Sequence, residues 1–257
     1  MKFIKLSFLL FLLIIVSACS DSSNKRIKVG SEGAYKPFSY VGKDGEMMGY
    51  DVDVLRILQE IDSSLDFEFK NAPWNALFLG LDSGRFDLLA NQIIKTQERE
   101  EKYLFTTQSY FVSTSQFVAR SDDETIKSVA DLSGKVAGCV VGSAHTKILE
   151  DWNAKNGNIL EIRYYKDLIP LLQDLVNKRI DVHLNDPASI ADIIKEQNLS
   201  LKVLDERISQ SPVYLVFRKE DSAKALIAKI DSAILKAKES GKLSELSMKY
   251  FGVDQSK

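Results

Sequence analysis

Apolar residues along this chain fall into two alternating rhythms. Over residues 51–61 they stand at 54, 55, 58 and 61, the spacing of a helix face, and Asp51 is placed to cap it. Over residues 65–69 they alternate with polar residues, as in a half-buried strand. Residues 27–30 open a strand, and Gly42-Lys43-Asp44-Gly45 is a hairpin turn signal. Residues 73–81 read as a helix with Pro73 near its first position, 86–89 as a buried strand, and 109–119 as a long extended run. The same grammar then repeats. Strands are predicted at 135–141, 160–164, 180–184 and 213–217. Helices are predicted from Gly142-Ser143-Ala144 to about 153, over 167–177, from Asp186-Pro187, and over 222–238 and 242–251, the last two parted by Gly241. Strands alternating with helices of this length predict α/β architecture, with parallel sheets covered on both faces. Two such blocks joined through extended segments predict two lobes with a cleft between them. Ligands of open sheets lie beyond the carboxyl ends of the strands.

The first residues follow a different pattern. Lys2 and Lys5 precede an unbroken apolar run over 8–16, then the small pair Ser17-Ala18, then Cys19. That is a signal peptide over residues 1–18, too short for a membrane span. Val16-Ser17-Ala18-Cys19 resembles a lipobox, in which Cys19 is lipidated and becomes the mature N-terminus. The polar stretch up to Lys25 then reads as a flexible tether, residues 19–25. Loss of Lys2 and Lys5 turns 34 basic side chains into 32, against 36 acidic ones, a net charge near −4. That balance excludes nucleic acid and an anionic membrane surface as electrostatic partners. Cys19 and Cys139 are the only cysteines, so a lipidated Cys19 leaves no intrachain disulfide, and Cys139 in an apolar run reads as a buried, inert thiol. His145 and His183 show no metal-ligand spacing, and there is no phosphate loop, nucleophile elbow or dinucleotide fingerprint. No metal or cofactor is expected.

The candidate chemistry gathers at helix starts that follow strands. Thr96 is a good N-cap and puts Arg99 in the first turn, where the helix dipole disfavours a cation. One reading pairs Arg99 with a neighbouring glutamate on a solvated helix. The other makes it a two-pronged grip on a carboxylate beside free backbone N–H groups. Ser143 begins a second helix able to offer N–H donors. Asp186 carries the charge that suits an ammonium, although an N-cap role with Pro187 following explains it as well. Tyr35, Phe38 and Trp74 lie in or beside loops at helix starts; Phe38 is expected to be partly core, whereas Tyr35 and Trp74 are candidates for cleft walls. An arginine, an acid and aromatic walls together describe a site for an α-amino acid zwitterion.

A longer series of residues resembles a known family. Val29-Gly30, Tyr35-Lys36-Pro37-Phe38-Ser39, Gly49-Tyr50-Asp51-Val52-Asp53, Trp74, Phe86-Asp87, Thr96-Gln97-Glu98-Arg99, Phe105 and Tyr110 occur in order. They are followed by Asp131-Leu132-Ser133-Gly134-Lys135, Gly142-Ser143, Arg179-Ile180-Asp181, Asp186, Gly241-Lys242-Leu243 and Lys249-Tyr250-Phe251-Gly252. Over residues 26–252 the chain is similar to the family-3 extracellular solute-binding proteins, the polar amino acid receptors of bacterial ABC importers. The resemblance implies the periplasmic-binding-protein-like fold of type II, two Rossmann-like lobes joined by two crossover strands. Residues 26–112 with 215–257 would form the first lobe and 113–214 the second. It implies a monomer without catalysis that closes on an amino acid and delivers it to a permease in the cytoplasmic membrane, exported and held at the membrane by its lipid. Position by position, Arg99 would bind the α-carboxylate, aided by the backbone at Ile94 and Ser143-Ala144, and Asp186 the α-ammonium. Tyr35 and Trp74 would line the side-chain pocket with Asn91 and Gln92 near it. Ile94 and Ala144 depart from the hydroxyl residues common there, so Ile94 offers only its N–H. Ala90-Asn91-Gln92 before Lys95-Thr96 is similar to the cystine-binding branch, which makes L-cystine the expected ligand.

Two other classes stay open on the sequence. An enzyme on this fold, such as a dehydratase of aromatic-amino-acid precursors, would need a cleft acid or base, for which His145 and Glu32 are the candidates, neither with a visible partner. His145 reads more simply as a solvated helix residue. A surface sensor or adhesin would use the same fold as a recognition module.

Overall fold

The computed structural model describes residues 26–257. The expected signal peptide, tether and lipidated Cys19 lie outside the described residues.

The chain opens with strands β1 (Ile27–Ser31), β2 (Ala34–Tyr35), β3 (Ser39–Val41) and β4 (Met47–Met48), then helix α1 (Tyr50–Ile61). Strand β5 (Phe67–Asn71), helix α2 (Trp74–Asp82), strand β6 (Leu88–Ile94), the short helix α3 (Gln97–Lys102) and strand β7 (Tyr103–Phe105) follow. The long strand β8 (Phe111–Arg120) leads to β9 (Val136–Val140), α4 (Ala144–Lys155), β10 (Glu161–Tyr165), α5 (Leu168–Val176), β11 (Val182–Asn185) and α6 (Pro187–Gln197). The 18-residue strand β12 (Leu201–Arg218) returns to helices α7 (Asp221–Glu239) and α8 (Lys242–Phe251). The predicted hairpin is present: β3 pairs β4 antiparallel across the Gly42–Gly45 turn.

Nine strands join in one sheet, ordered β10-β9-β11-β8-β12-β6-β1-β5, with β7 on β12. Here the all-parallel expectation needs correcting. β1 runs parallel to β5 and β6, and β9 to β10 and β11, but β8 and β12 are antiparallel to their neighbours. The sheet is mixed because its two longest strands are connectors. β12 pairs with β8 from Leu201–Arg120 to Val213–Phe111, then with β6 from Val213–Ile94 to Phe217–Leu88. Two strands therefore cross between two lobes, each with its own apolar layers.

Adjacent residues of one strand feed opposite layers, as the pleat requires. In the first lobe Leu88 packs with Val29, Leu55, Leu58 and Ile230, under α1, α7 and α8, whereas Leu89 packs with Leu77, Leu81 and Phe86 under α2. In the second, Phe117 packs with Leu149 and Val182, and Val118 with Leu171, Leu175 and Ile190. Phe86 is wedged so tightly that a Cβ at Gly80 would come within 2.3 Å of its ring, and one at Gly30 within 2.4 Å. Those two glycines let α2 and β1 close on the phenyl ring. The polar stretch of β8, Ser113-Thr114-Ser115, lies opposite Ser209-Gln210-Ser211 of β12.

Candidate functional site

β6 extends through Ile94, so the stretch up to there is strand, and Lys95 alone separates it from Thr96. Thr96 caps α3 as expected, its Oγ1 accepting from the Arg99 N–H at 3.3 Å. Arg99 is 7% exposed and pairs with no glutamate; its neighbour Glu98 is held by Lys102 at 2.8 Å. The guanidinium donates from one terminal nitrogen to the Ile94 carbonyl and from the other to the Gly142 carbonyl, each at 2.8 Å. One acceptor belongs to each lobe. The group lies 5.6 Å from the Trp74 ring and 5.1 Å from Phe78, against their faces. Burial pulls its pKa down to about 10, so it remains a cation at neutral pH. No hydrogen bond joins it to a carboxylate among the described residues.

Arg99 borders a cavity of about 700 Å³ between the lobes, counting the part open to solvent. Of the residues expected at the site, Tyr35, Trp74, Asn91, Gln92, Ile94, Arg99, Ser143 and Ala144 all line it. Trp74 donates its Nε1–H to the Val141 carbonyl of the second lobe at 3.2 Å, and the Tyr35 hydroxyl donates to Asn185 Oδ1 at 3.3 Å. Lys36 forms an ion pair with Glu196 of α6. With Arg99–Gly142, these contacts hold the cleft shut. Ser143 caps α4, accepting from the His145 N–H at 3.2 Å. Gln92 adopts the left-handed backbone region at φ 51, and Asp51 fixes it, accepting from the Gln92 N–H at 2.9 Å and from its Nε2 at 2.6 Å. Such a conformation costs roughly 1 kcal/mol and persists only where surroundings impose it.

Asp186 is 3% exposed and directly follows the wall residue Asn185. Its Oδ2 accepts from the Ser113 hydroxyl at 2.7 Å and the Thr114 N–H at 3.1 Å, and its Oδ1 accepts from the Ala188 N–H at 2.9 Å. The carboxylate is turned to β8 and to the start of α6, because the N-cap geometry that Pro187 enforces points it there. Burial raises its pKa against the pull of these hydrogen bonds.

Among the wall residues not expected as ligand contacts are Glu32, Asp167, His183 and Asn185. Each stands within a residue or two of the carboxyl end of β1, β10 or β11. The strand-end rule alone marks them. Asn91 turns its Oδ1 to the Glu32 N–H at 2.7 Å and the Ser39 hydroxyl at 2.8 Å. His183 bonds through Nδ1 to the Gly138 carbonyl at 2.9 Å, so that nitrogen carries the proton, and Nε2 accepts from Asn185 Nδ2 at 3.1 Å. His145 is no solvated helix residue: it lines the cavity, with Nδ1 2.9 Å from the Ser115 hydroxyl. Burial, His183 and Arg99 push the His145 pKa down to about 3, and burial pushes that of His183 to about 4. Both are neutral at physiological pH and weak as general bases. Cys139 is free and buried, its thiol pushed up to about 11 by burial.

Comparison with known proteins agrees with this geometry. The sequence profile of the bacterial extracellular solute-binding proteins, family 3, matches residues 27–253. The probable amino-acid-binding protein YxeM of Bacillus subtilis is 34% identical over 250 residues, covering 95% of this chain and 92% of that protein. The L-cystine-binding protein TcyA of the same species is 34% identical over 233 residues, covering 90% and 83%. A solved structure described as a putative L-cystine ABC transporter from Listeria monocytogenes superposes with a TM-score of 0.78 at 27% identity, covering 90% of this chain and 98% of that one. With the fold, the cleft and the profile match in accord, this chain belongs to family 3 of the bacterial extracellular solute-binding proteins.

Proposed function

We propose that this protein is the substrate-binding component of an amino acid ABC importer, that it captures L-cystine between its lobes, and that it hands the ligand to a membrane permease. One observation carries the reading: a buried guanidinium in the interlobe cavity that meets a carbonyl from each lobe but no carboxylate. A buried cation without a counter-charge is costly, and a ligand carboxylate would relieve it. The N–H groups at the start of α4 reinforce the same anion. The two lobes, residues 26–112 with 215–257 and residues 113–214, swing about the β8–β12 crossing, where Ser113-Thr114-Ser115 faces Ser209-Gln210-Ser211. The cystine assignment draws on the names of TcyA and the Listeria protein. The weak basicity of His145 speaks against the dehydratase alternative.

A thermal-shift series over the natural amino acids and L-cystine tests this. L-cystine at about 100 times its Kd should stabilise the native protein by about 2.7 kcal/mol, raising Tm by several degrees. No shift with any amino acid would overturn the importer reading. Export and anchoring through Cys19 belong to the same proposal. Fatty-acid label should enter the native protein and not Cys19→Ser; equal labelling would refute the anchor.

A further inference from the structure

β6 leaves its ladder where it forms the cavity wall. It pairs with β12 at Ile93, opposite Tyr214, and next at Leu89, opposite Val216. Ala90, Asn91 and Gln92 therefore stand against Leu215 alone. Leu215 donates its N–H to the Thr106 hydroxyl and accepts from the Thr106 N–H at its carbonyl, so it serves none of the three. Bulges of this kind re-aim side chains beside functional sites. Side chains hold this one where the ladder does not. The Ser31 hydroxyl donates to the Ala90 carbonyl, Asn91 Oδ1 accepts from the Glu32 N–H, and Asp51 takes Gln92.

The hold on Gln92 is double. One Asp51 oxygen accepts from the backbone N–H and the other from the side-chain Nε2, so a single carboxylate sets both parts of the residue. Gln92 is also the residue of the bulge at positive φ, a region that a side chain enters at a cost. Asp51 is itself fixed. It is 1% exposed, its N–H donates to the Phe38 carbonyl at 3.0 Å, and the hydroxyl of its neighbour Tyr50 donates to the Tyr110 carbonyl at 3.2 Å. With Nε2 spent on Asp51, the free end of the Gln92 amide is Oε1, which has no hydrogen-bond partner among the described residues.

We propose that Asp51 is a positioning residue of the ligand site: acting through Gln92, it keeps the β6 bulge in its binding shape and the acceptor end of the Gln92 amide free, with or without ligand. The proposal deepens the importer reading and rests on it for what fills the cavity. Asp51→Asn leaves one acceptor oxygen for two donors, and its NH₂ donates to Gln92 Oε1 once that amide turns over. The free end of the amide then becomes a donor. The Gln92 backbone, no longer gripped by a carboxylate, relaxes from positive φ. Glycine adopts positive φ at no steric cost, so Gln92→Gly makes the shape of the bulge independent of Asp51.

Isothermal titration of the full chain with L-cystine tests this in the native protein, Asp51→Asn, Gln92→Gly and the double variant. Burial lifts the Asp51 carboxyl to about 7 against the pull of the Gln92 bonds, so the titrations are run at about pH 8, with the carboxylate ionised. Asp51→Asn should weaken binding about tenfold. In the Gln92→Gly background the same substitution should cost about threefold or less, because the residue it acts through is gone. Equal losses in the two backgrounds, or near-native affinity in Asp51→Asn, overturn the proposal. Proton NMR of Gln92 gives a readout that a mere loss of stability does not move. The ligand-free native protein should show the short amide-to-Hα approach of a positive φ and slow exchange of the Nε2 protons, and folded Asp51→Asn should lose both. Signals unchanged in Asp51→Asn overturn the proposal. If Asp51→Asn does not fold, the native signals decide: fixed positive φ with protected Nε2 protons upholds it, and a Gln92 averaging over negative φ overturns it. If the native protein binds neither L-cystine nor any natural amino acid, the importer reading fails, and the NMR comparison decides the hold of Asp51 on the bulge by itself.

Discussion

Arg99→Ala is expected to lose about 2–5 kcal/mol of ligand binding, a factor of about 30 or more. Two effects add. The ligand carboxylate would enter a closed cleft with no cation to meet it, and charge-assisted hydrogen bonds of this kind are the strong ones. The cleft itself would also lose a tie, because Arg99 donates to Ile94 in one lobe and Gly142 in the other. Arg99→Lys separates them. Lysine keeps the charge but not the planar fork, so it should retain part of the electrostatic gain and fail to span both carbonyls. Calorimetric titration with L-cystine gives the affinities, and solution scattering gives the lobe separation. Near-native affinity in Arg99→Ala would remove this residue from the site.

The position of Arg99 shows why part of the molecule was legible in the sequence. Thr96 as N-cap, followed by a cation where the dipole disfavours one, is a local contradiction, and such conflicts gather at functional sites. Helix α1 was legible from its apolar spacing, but the expected cap was not: Gly49 is the N-cap, and Asp51 lies inside the first turn with its carboxylate turned to Gln92 of β6. The first crossover strand, β8, was legible as the extended run over 109–119; the second was harder. β12 runs from Leu201, yet its first half reads Leu-Asp-Glu-Arg-Ile-Ser-Gln-Ser-Pro after Val203, with neither alternation nor an apolar run. Register shifts between Val203 and Ser209 explain this, since a strand that bulges there need not alternate. Strand β6 was cut short for another reason. All seven of its residues are buried, and Asn91 and Gln92 are buried because Glu32, Ser39 and Asp51 satisfy them across long sequence separations. Composition within a window cannot show that. The same holds for Glu32 and Asp167, whose opposition exists only once β1 and α5 face each other over the cleft.

Asp186→Asn is expected to lower the stability of the ligand-free protein by about 1–3 kcal/mol, or roughly 2–10 °C in Tm. The carboxylate serves three donors: the Ser113 hydroxyl, the Thr114 N–H and the Ala188 N–H. Asparagine has one acceptor oxygen and an NH₂ that only donates. Turned one way it abandons Ala188 and the cap of α6; turned the other it faces Thr114 with a donor. Either orientation leaves a buried N–H without a partner. Asp186→Ala removes all three bonds and should cost more. A direct ammonium ligand would behave differently, because its loss would spare the ligand-free protein and appear only in affinity. Melting curves with and without L-cystine therefore separate the roles: a deficit already present without ligand marks Asp186 as the residue that fastens α6 to β8. Since β8 is one of two strands crossing between the lobes, that fastening sets how the second lobe is carried as the cleft closes. An unchanged ligand-free Tm, paired with lost affinity, would return Asp186 to the ammonium.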